Sequence, residues 1–416
     1  MAFDFGEFST ELEDFVIRKT KKYSRIWKTQ YGGGAECVTV HNGVAFMGSA
    51  DHHLYAIDCI TGKEKWRFRT SGCIVDGFPK IADGIVYFGS FDCYIYALNE
   101  KTGKLAWKFR TGGEINSSPA VDADLVYTVS RDGYLYCLDA KDGKLVWRFR
   151  TGDEMISTPA LHENMIFFGS FDGFFYCLDK TTGEELWRFK TGGEVFNINE
   201  FLVHDGIIYV DSFDNYLYAI DISKGKELWR FRAGSFGLVF SPLLHGNVLY
   251  LPSREGILYA ISLEGKELWR FKTGGNIGLP HVYRNMIFIP SEDQSVYAVD
   301  LKTHKEVWRF TGGGYFFFSD MWNDKLLLPS WDCHLYCVNP ENGKQIWSFP
   351  TSLSYQPPLP PVEEEFEVQI RKTMASDEDT EKERDDEISP ELSFDSVYTT
   401  KSEYQVDVSY RQKTKY

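Results

Sequence analysis

The residues with the most obvious chemical potential form a Cys-His-x-x-Cys fragment, from Cys333 to Cys337. His52 and His53 occupy the equivalent place in an earlier part of the chain. Zinc prefers thiolate and imidazole ligands, but a structural zinc site needs four of them, and no second ligand pair follows at zinc-like spacing. Successive residues of a strand also point to opposite sides. We therefore interpret these residues as variable turn positions beside a buried cysteine.

Histidine and aspartate, which serve most often as general acids and bases, recur at matching places along the chain. Four histidines fall at or beside one kind of turn and six aspartates fall in another: His41, His162, His204, His245, Asp92, Asp132, Asp172, Asp214, Asp293 and Asp332. An active site needs such a group once, whereas Asp side chains bond to nearby backbone in any turn. The glycine runs at 32–34 and 312–314 precede no helix and so form no phosphate cradle. We predict no catalytic, cofactor-binding or metal-binding residue.

The elements that carry these residues are repeats marked by tryptophan. Nine tryptophans span residues 27 to 347 in eight intervals that average 40 residues: Trp27, Trp66, Trp107, Trp147, Trp187, Trp229, Trp269, Trp308 and Trp347. The sequence around each tryptophan recurs as well, as in VYFGSFDCYIYALNEKTGKLAWKFRTGG and IFFGSFDGFFYCLDKTTGEELWRFKTGG. A period of about 40 residues with several short strands is typical of propeller blades and not of helical solenoids.

Each repeat contains four short strands, A to D in chain order, and the tryptophan lies in strand D. Strands B and C are almost continuously apolar, as expected when neighbouring sheets cover both faces. Between them stands an Asp-X pair such as Asp132-Gly133, which is a hairpin signal. The sequence therefore predicts an all-β fold, an eight-bladed β-propeller of four-stranded blades. One tryptophan strand is in excess, so either the Trp27 strand or the Trp347 strand completes the closing blade.

Segments such as DGYLYCLDAKDGKLVWRFRTGDE resemble the tryptophan-docking repeat of pyrroloquinoline-quinone dehydrogenases and of the bacterial outer-membrane assembly lipoprotein propeller. The resemblance covers roughly Arg25 to Pro350. It implies that each tryptophan from Trp66 to Trp347 stacks near a turn glycine and ties two blades together. The matching glycines are Gly62, Gly103, Gly143, Gly183, Gly225, Gly265 and Gly343. His304 replaces the glycine of the seventh blade, where a Cβ would strain a turn that needs positive φ.

The antiparallel order of the strands places the B–C turns and the D–A connections on one face, called the B–C face below. The A–B and C–D turns share the opposite face, where the turns are monotonous. The B–C face varies from blade to blade, as a recognition surface should. It carries aromatic and basic side chains that we predict to contact a partner, unless the rings pack over the blade ends: Phe91, Phe171, Phe213, Trp331, Arg131, Arg254, Phe236 and Phe316.

Charge and composition limit the classes of partner. A net charge of −15 disfavours nonspecific binding to nucleic acid or anionic lipid. The first residues show no secretory pattern and no run of about 18 apolar residues occurs, so we predict no membrane insertion and a cytoplasmic location. The eight cysteines lack framework spacing and are predicted to be reduced. The family's vicinal cysteine pair is absent, which disfavours a quinone enzyme.

The sequence thus favours a non-enzymatic, monomeric scaffold without a cofactor, which binds a protein or peptide on the B–C face. The alternative is an oxidoreductase that holds a quinone or small ligand in the central channel. We expect three regions: an N-terminal extension over 1–24, with one helix between Thr10 and Tyr23, the propeller over 25–350, and a tail over 351–416. The tail begins proline-rich and then carries 16 acidic and 8 basic residues, so we predict disorder.

Overall fold

A computed structural model describes residues 15–18, 34–122, 124–351 and 367–370. All regular structure in these ranges is β-strand, arranged as eight four-stranded antiparallel sheets and one two-stranded sheet. Each four-stranded sheet consists of four strands that are consecutive in the chain. The predicted all-β, eight-bladed architecture is confirmed.

The blades are numbered in chain order, and within each blade the four strands are A to D. Blades 1 to 4 comprise β2 (Ala35–His41), β3 (Val44–Ser49), β4 (His53–Asp58), β5 (Glu64–Arg69), β6 (Lys80–Ala82), β7 (Ile85–Ser90), β8 (Tyr94–Asn99), β9 (Leu105–Arg110), β10 (Ala120–Asp122), β11 (Leu125–Val129), β12 (Tyr134–Asp139), β13 (Leu145–Arg150), β14 (Ala160–His162), β15 (Met165–Gly169), β16 (Phe174–Asp179) and β17 (Glu185–Lys190). Blades 5 to 8 comprise β18 (Leu202–His204), β19 (Ile207–Asp211), β20 (Tyr216–Asp221), β21 (Lys226–Arg232), β22 (Leu243–His245), β23 (Val248–Pro252), β24 (Ile257–Ser262), β25 (Glu267–Lys272), β26 (His281–Tyr283), β27 (Met286–Pro290), β28 (Ser295–Asp300), β29 (Glu306–Thr311), β30 (Asp320–Trp322), β31 (Lys325–Ser330), β32 (His334–Val338) and β33 (Gln345–Pro350).

Burial distinguishes the inner strands of a blade from its outer strand. Strands B and C are buried at nearly every position, as in β7 and β8, because neighbouring sheets cover both faces. Strand D alternates between exposed and partly buried residues, as in β17. It therefore forms the outer rim, and its partly buried tryptophan and phenylalanine face the next blade.

Eight buried hydrophobic clusters join each blade to the next. Phe46 of blade 1, for example, packs in one cluster with Phe88 of blade 2. Another cluster joins Leu327 of blade 8 to Met47 of blade 1. Because the last sheet packs on the first, the eight sheets form a closed ring.

Each outer tryptophan lies against a turn of the following blade. A Cβ atom added to Gly103 would lie 2.7 Å from Cδ2 of Trp66, and the Trp66 indole N–H donates to the Glu100 carbonyl at 3.0 Å. The same contact with a turn glycine recurs at six further junctions: Trp107 on Gly143, Trp147 on Gly183, Trp187 on Gly225, Trp229 on Gly265, Trp308 on Gly343 and Trp347 on Gly62. The last pair joins blade 8 to blade 1.

The seventh blade departs from this pattern in sequence but keeps the stacking. His304 adopts a φ of 58°, in the left-handed region that costs an L-residue about 1 kcal/mol. Its ring stacks on Trp269 with centroids 4.3 Å apart and an interplanar angle of 18°. Contact between the two rings offsets part of the backbone strain.

The strand that completes the closing blade is β33, which contains Trp347 and pairs with β32. Trp27 lies outside the described residues. β1 (Phe15–Arg18) pairs antiparallel with β34 (Glu367–Ile370) in a separate unit formed by 1–21 and 365–416. Phe15–Arg18 is thus extended where a helix was predicted. The rest of the predicted helix and most of the predicted tail lie outside the described residues. Among the described residues, no helix has the length and apolar character needed to cross a membrane.

Candidate functional site

The aspartates of the B–C turns connect neighbouring blades. Asp132 Oδ1 accepts the Tyr134 backbone N–H at 3.0 Å, which fixes its own turn. Its Oδ2 accepts the Tyr136 hydroxyl at 2.6 Å and the Gly112 backbone N–H at 2.6 Å. Gly112 follows the outer strand of blade 2, whereas Asp132 belongs to blade 3. One carboxylate therefore holds the turn, the neighbouring strand and the preceding blade together.

The same set of aspartate hydrogen bonds, called the latch below, recurs at most junctions of the ring. In five other blades a B–C aspartate accepts both a tyrosine hydroxyl and a backbone N–H from the preceding connection: Asp92, Asp172, Asp214, Asp293 and Asp332. In blade 6, Glu255 stands at this position. The recurring aspartates are thus structural groups of the B–C face.

We expect Asp172→Ala to lower the free energy of unfolding by about 2 kcal/mol. The substitution removes charged acceptors from the Tyr176 hydroxyl and from the Gly152 N–H, and hydrogen bonds to charged groups contribute roughly 1.5–3 kcal/mol. Asp172→Asn keeps an acceptor for the turn but removes the charge, so about half of that loss is expected. Urea unfolding of both variants measures the difference, and equal stability of Asp172→Ala and wild type would contradict the latch.

Side chains from most blades meet at the axis of the ring and fill it. Phe318 contacts Phe78 with ring centroids 4.9 Å apart and Phe240 at 6.0 Å, both edge to face. These three residues belong to the connections that enter blades 2, 6 and 8. The same cluster includes Phe171 and Trp331. The alternative prediction placed a ligand in the central channel, and on this side of the ring aromatic side chains occupy that space.

Three of the predicted contact residues are buried. Phe171 and Trp331 pack in the axial cluster, and Phe316 is fully buried between blades 7 and 8 against Phe310 and Tyr336. Phe316 is therefore a packing residue and not a surface residue. The cause is strand-like alternation within its connection, which directs neighbouring residues to different environments. Among the other candidates, Phe91, Phe213, Arg131 and Arg254 are partly buried and Phe236 is exposed.

Successive connections are joined around the axis by hydrogen bonds at 40-residue intervals. The Phe78 N–H donates to Ser118 Oγ at 2.8 Å, and the Ser118 N–H donates to Thr158 Oγ1 at 3.2 Å. Thr158 Oγ1 in turn donates to the Ile198 carbonyl at 2.6 Å. These hydrogen bonds join the four connections that enter blades 2 to 5 and hold them in place relative to one another.

A buried acid lies under the connection between blades 5 and 6. Asp211 stands where blades 1, 2 and 4 have glycine, and it is completely buried. Its Oδ1 accepts from Ser241 Oγ at 3.3 Å, and Ser241 Oγ accepts from Asn197 Nδ2 at 2.7 Å. Burial raises the pKa of Asp211 to about 7, and the Ser241 hydrogen bond opposes this only in part. Such a group destabilises the fold whenever it is ionised.

Arg131 uses its charge within the molecule. Its side chain is 10% exposed and lies 3.4 Å from a Glu114 carboxylate oxygen. Burial raises the pKa of Asp76 to about 7, with Arg131 and a hydrogen bond from Asn116 opposing the shift. Burial also raises the pKa of Glu154, again opposed by Arg131. This cation therefore compensates several acids of blades 2 to 4, which leaves it little freedom to bind a partner.

The connection between blades 5 and 6 exposes an aromatic side chain to solvent. Phe236 is 65% exposed, and its carbonyl accepts from Arg254 Nη1 at 3.0 Å. The Arg254 guanidinium lies 5.8 Å from the Phe213 ring centroid. The Gly237 N–H donates to Asn215 Oδ1 at 2.7 Å. Phe236 is thus presented by a loop that hydrogen bonds fix at both sides.

A family model described as outer membrane protein assembly factor BamB matches residues 21–116, 91–174, 168–263 and 214–356. These matches together extend over most of the chain. The chain belongs to the BamB family. The resemblance predicted from the tryptophan repeat is thereby confirmed. No curated protein matches the chain.

Two solved structures resemble this BamB-family propeller in fold. The crystal structure of BamB from Moraxella catarrhalis is 17% identical and aligns with a TM-score of 0.61, over 73% of this chain and 93% of that one. The computationally designed Ika8 protein is 15% identical and aligns with a TM-score of 0.66, over 74% and 96%. At these identities the likeness concerns the fold alone.

The Cys-His-x-x-Cys fragment of this BamB-family propeller contributes to packing. Cys333 and Cys337 are buried, and His334 Nδ1 lies 3.3 Å from Asp332 Oδ1. The hydrogen bond with Asp332 raises the pKa of His334, and desolvation opposes it. Nowhere in the described ranges do three His, Cys, Asp or Glu side chains group as metal ligands. A depression of about 190 Å³ beside Arg131 and Arg150 is smaller than the roughly 300 Å³ at which small-molecule sites begin.

Proposed function

We propose that this chain is a non-enzymatic scaffold of the BamB family that binds a protein partner on its B–C face. The contact centres on Phe236, with Arg254 and Phe213 beside it. The exposed, hydrogen-bonded setting of the Phe236 ring is the observation that carries the proposal, because aromatic and arginine side chains dominate the energy of protein interfaces. Membership of a family named for outer-membrane protein assembly supports a role in protein interaction.

The neighbourhood of Phe236 supports the same assignment. Ser241, which bonds to the buried Asp211, belongs to the same connection as Phe236. A destabilising buried acid is present there, at a position where blades 1, 2 and 4 have glycine. Proteins accept such losses of stability mainly where function requires them.

Two further features of the scaffold are part of the proposal. We assign it to a reducing compartment such as the cytoplasm, which suits eight free cysteines, six of them buried. We also assign it a monomeric state, since the ring closes by its own Trp347 contact with Gly62 and needs no second chain.

Phe236→Ser is expected to weaken partner binding by about thirtyfold, because truncation of a central aromatic anchor costs roughly 2 kcal/mol. Quantitative affinity purification of the full chain from its native cell, followed by mass spectrometry, measures the loss for every captured protein. Melting temperature should change little, because an exposed side chain contributes within about 0.5 kcal/mol to stability.

Ile60→Ser is the matched control. Ile60 is 66% exposed, and it lies in the C–D turn between β4 and β5, on the opposite face of the ring. Its replacement removes a similar apolar area without touching the proposed surface. Equal capture by wild type and Phe236→Ser, or equal loss in the two variants, would refute the proposed site.

A further inference from the structure

The outer strand of blade 3 presents an apolar and basic stripe beside a free edge. Val146, Arg148 and Arg150 are exposed at alternate positions of β13, and Val146 is 51% exposed. Among the described strands, β13 pairs only with β12. Its second edge therefore has backbone N–H and C=O groups available for another strand.

Register and packing show which way this stripe points. Arg148 and Arg150 stand opposite Tyr136 and Tyr134 of β12 and so share their side of the sheet. Tyr136 packs in the cluster between blades 2 and 3. The stripe therefore faces blade 2.

Across from this stripe stands the outer strand of blade 2. The stripe itself extends to Leu145 of β13, which is 44% exposed and stands opposite Leu138, a residue that packs with Tyr136 in the cluster between blades 2 and 3. Leu145, Val146, Arg148 and Arg150 thus line the rim beside blade 2, called the edge groove below. Both cations lie over the Tyr134 ring in cation–π contact. The guanidinium carbon of Arg148 is 4.7 Å from the ring centroid, and that of Arg150 is 5.6 Å from it.

Arg148 of the edge groove lacks the acidic partner that the equivalent arginine has in five other blades. In other blades an acid three residues before the equivalent arginine pairs with it, as Glu185 does with Arg188 at 3.2 Å and Glu267 with Arg270 at 2.6 Å. In blade 3 that position is Leu145. None of the described ion pairs includes Arg148 or Arg150. Two exposed cations on a chain of net charge −15 therefore lie outside the described ion pairs.

We propose that the edge groove binds an extended acidic segment of a partner protein, which adds to β13 as a fifth strand. Backbone pairing with the free edge supplies affinity, and alternate side chains supply specificity. Positions that face Val146, Arg148 and Arg150 are two residues apart, so the segment carries one apolar and two acidic residues at alternate positions. A second copy of β13 does not fit, because its own arginines would oppose these.

The surface meets the B–C face only at Arg150, which lies beside Arg131, and it does not depend on the function proposed above. It lies at the rim and leaves the Phe236 loop free, so both surfaces can be occupied together. Failure at one of them leaves the other intact, and each has its own variants.

The test uses fluorescent nine-residue threonine peptides that carry one leucine and two glutamates at alternate positions. The leucine precedes the glutamates in one peptide and follows them in the other. Anisotropy titration with the full chain should show binding that weakens with added salt. The double variant Arg148→Glu/Arg150→Glu is expected to bind at least tenfold more weakly. Peptides with lysine in place of glutamate should not bind.

The matched control is Arg230→Glu/Arg232→Glu in β21. These arginines occupy the same two positions in blade 5, and Arg230 lies 5.0 Å from the Tyr216 ring centroid and 3.6 Å from Glu227. Affinity should change less than twofold in this variant. An equal loss in both double variants would show nonspecific attraction to the rim, and the proposal would be overturned. So would glutamate peptides that bind no better than lysine peptides.

A proline at the central position of the best peptide tests strand addition. Proline removes one N–H from the pairing edge, so at least a tenfold loss is expected. Unchanged affinity would mean that the side chains bind without a fifth strand, and it would overturn the pairing with β13.

Discussion

Asp211→Asn is expected to stabilise the chain at pH 8 and to change its stability little at pH 4. Burial raises the pKa of this carboxyl from 3.8 to about 7. Between these values the unfolded chain has lost the proton while the folded chain keeps it, so stability falls as pH rises through this window. Above it, the native protein is destabilised by on the order of 4 kcal/mol, which the amide removes.

Urea unfolding at both pH values measures the effect. The amide alters packing and hydrogen bonding equally at pH 4 and pH 8, so the difference between the two changes in unfolding free energy isolates the ionisation. Asp205→Asn is the control, because the Asp205 side chain is 83% exposed. If Asp211→Asn has the same effect at both values, the buried carboxyl does not titrate in this range.

The architecture could be predicted because every repeat contains the sequence pattern of a four-stranded blade. The tryptophan period and the apolar B and C strands recur in each blade, so an error in one repeat is corrected by the others. The inter-blade contact of Trp66 with Gly103 follows the same rule, since both partners stand at fixed places in the period. The sequence could not decide whether the Trp27 strand or the Trp347 strand closes the ring, because the two tryptophans lie in similar local sequences.

The fate of the B–C face residues depends on connections that do not repeat. Phe316, Phe317 and Phe318 are adjacent, yet Phe316 packs between two blades while Phe317 and Phe318 pack at the axis. Which residue turns inward depends on the register of each connection, and a period of 40 residues does not fix it. A sequence can place aromatic residues on a face, but it cannot separate those that cover the ring from those that meet solvent.

The most exposed aromatic of that face was marked by departures from the repeat. Where blades 2, 4 and 6 have Thr-Gly-Gly, blade 5 ends in Ala233-Gly234-Ser235, and Glu255 replaces the latch aspartate of blade 6. Both changes surround Phe236. The edge groove was marked in the same way, by Leu145 where five other blades have glutamate. In a repeat protein the informative positions are those where one blade abandons the pattern, because structure alone does not require the change.

Gly103→Ala is expected to lower the free energy of unfolding by about 3 kcal/mol. Gly103 has a φ of 66°, which costs an L-residue about 1 kcal/mol, and its Cβ would lie 2.7 Å from the Trp66 ring. Displacing a packed indole adds a further loss of about 1–3 kcal/mol. Gly84→Ala separates the two contributions, since Gly84 has a φ of 74° and no atom within 4 Å of an added Cβ. Only the backbone cost of about 1 kcal/mol is expected there.

The comparison can be completed in a Trp66→Ala background. Without the indole, Gly103→Ala should cost no more than Gly84→Ala, and the missing 2 kcal/mol or so would be the coupling between blades 1 and 2. His304 gives the reason to expect a steric origin, because a side chain is accommodated there only with its ring stacked flat on Trp269. Alanine is too short to take that position, so it pushes the indole away without replacing the contact. Equal losses for Gly103→Ala and Gly84→Ala would mean that the tryptophan gives way freely and that the docking contact does not hold the ring.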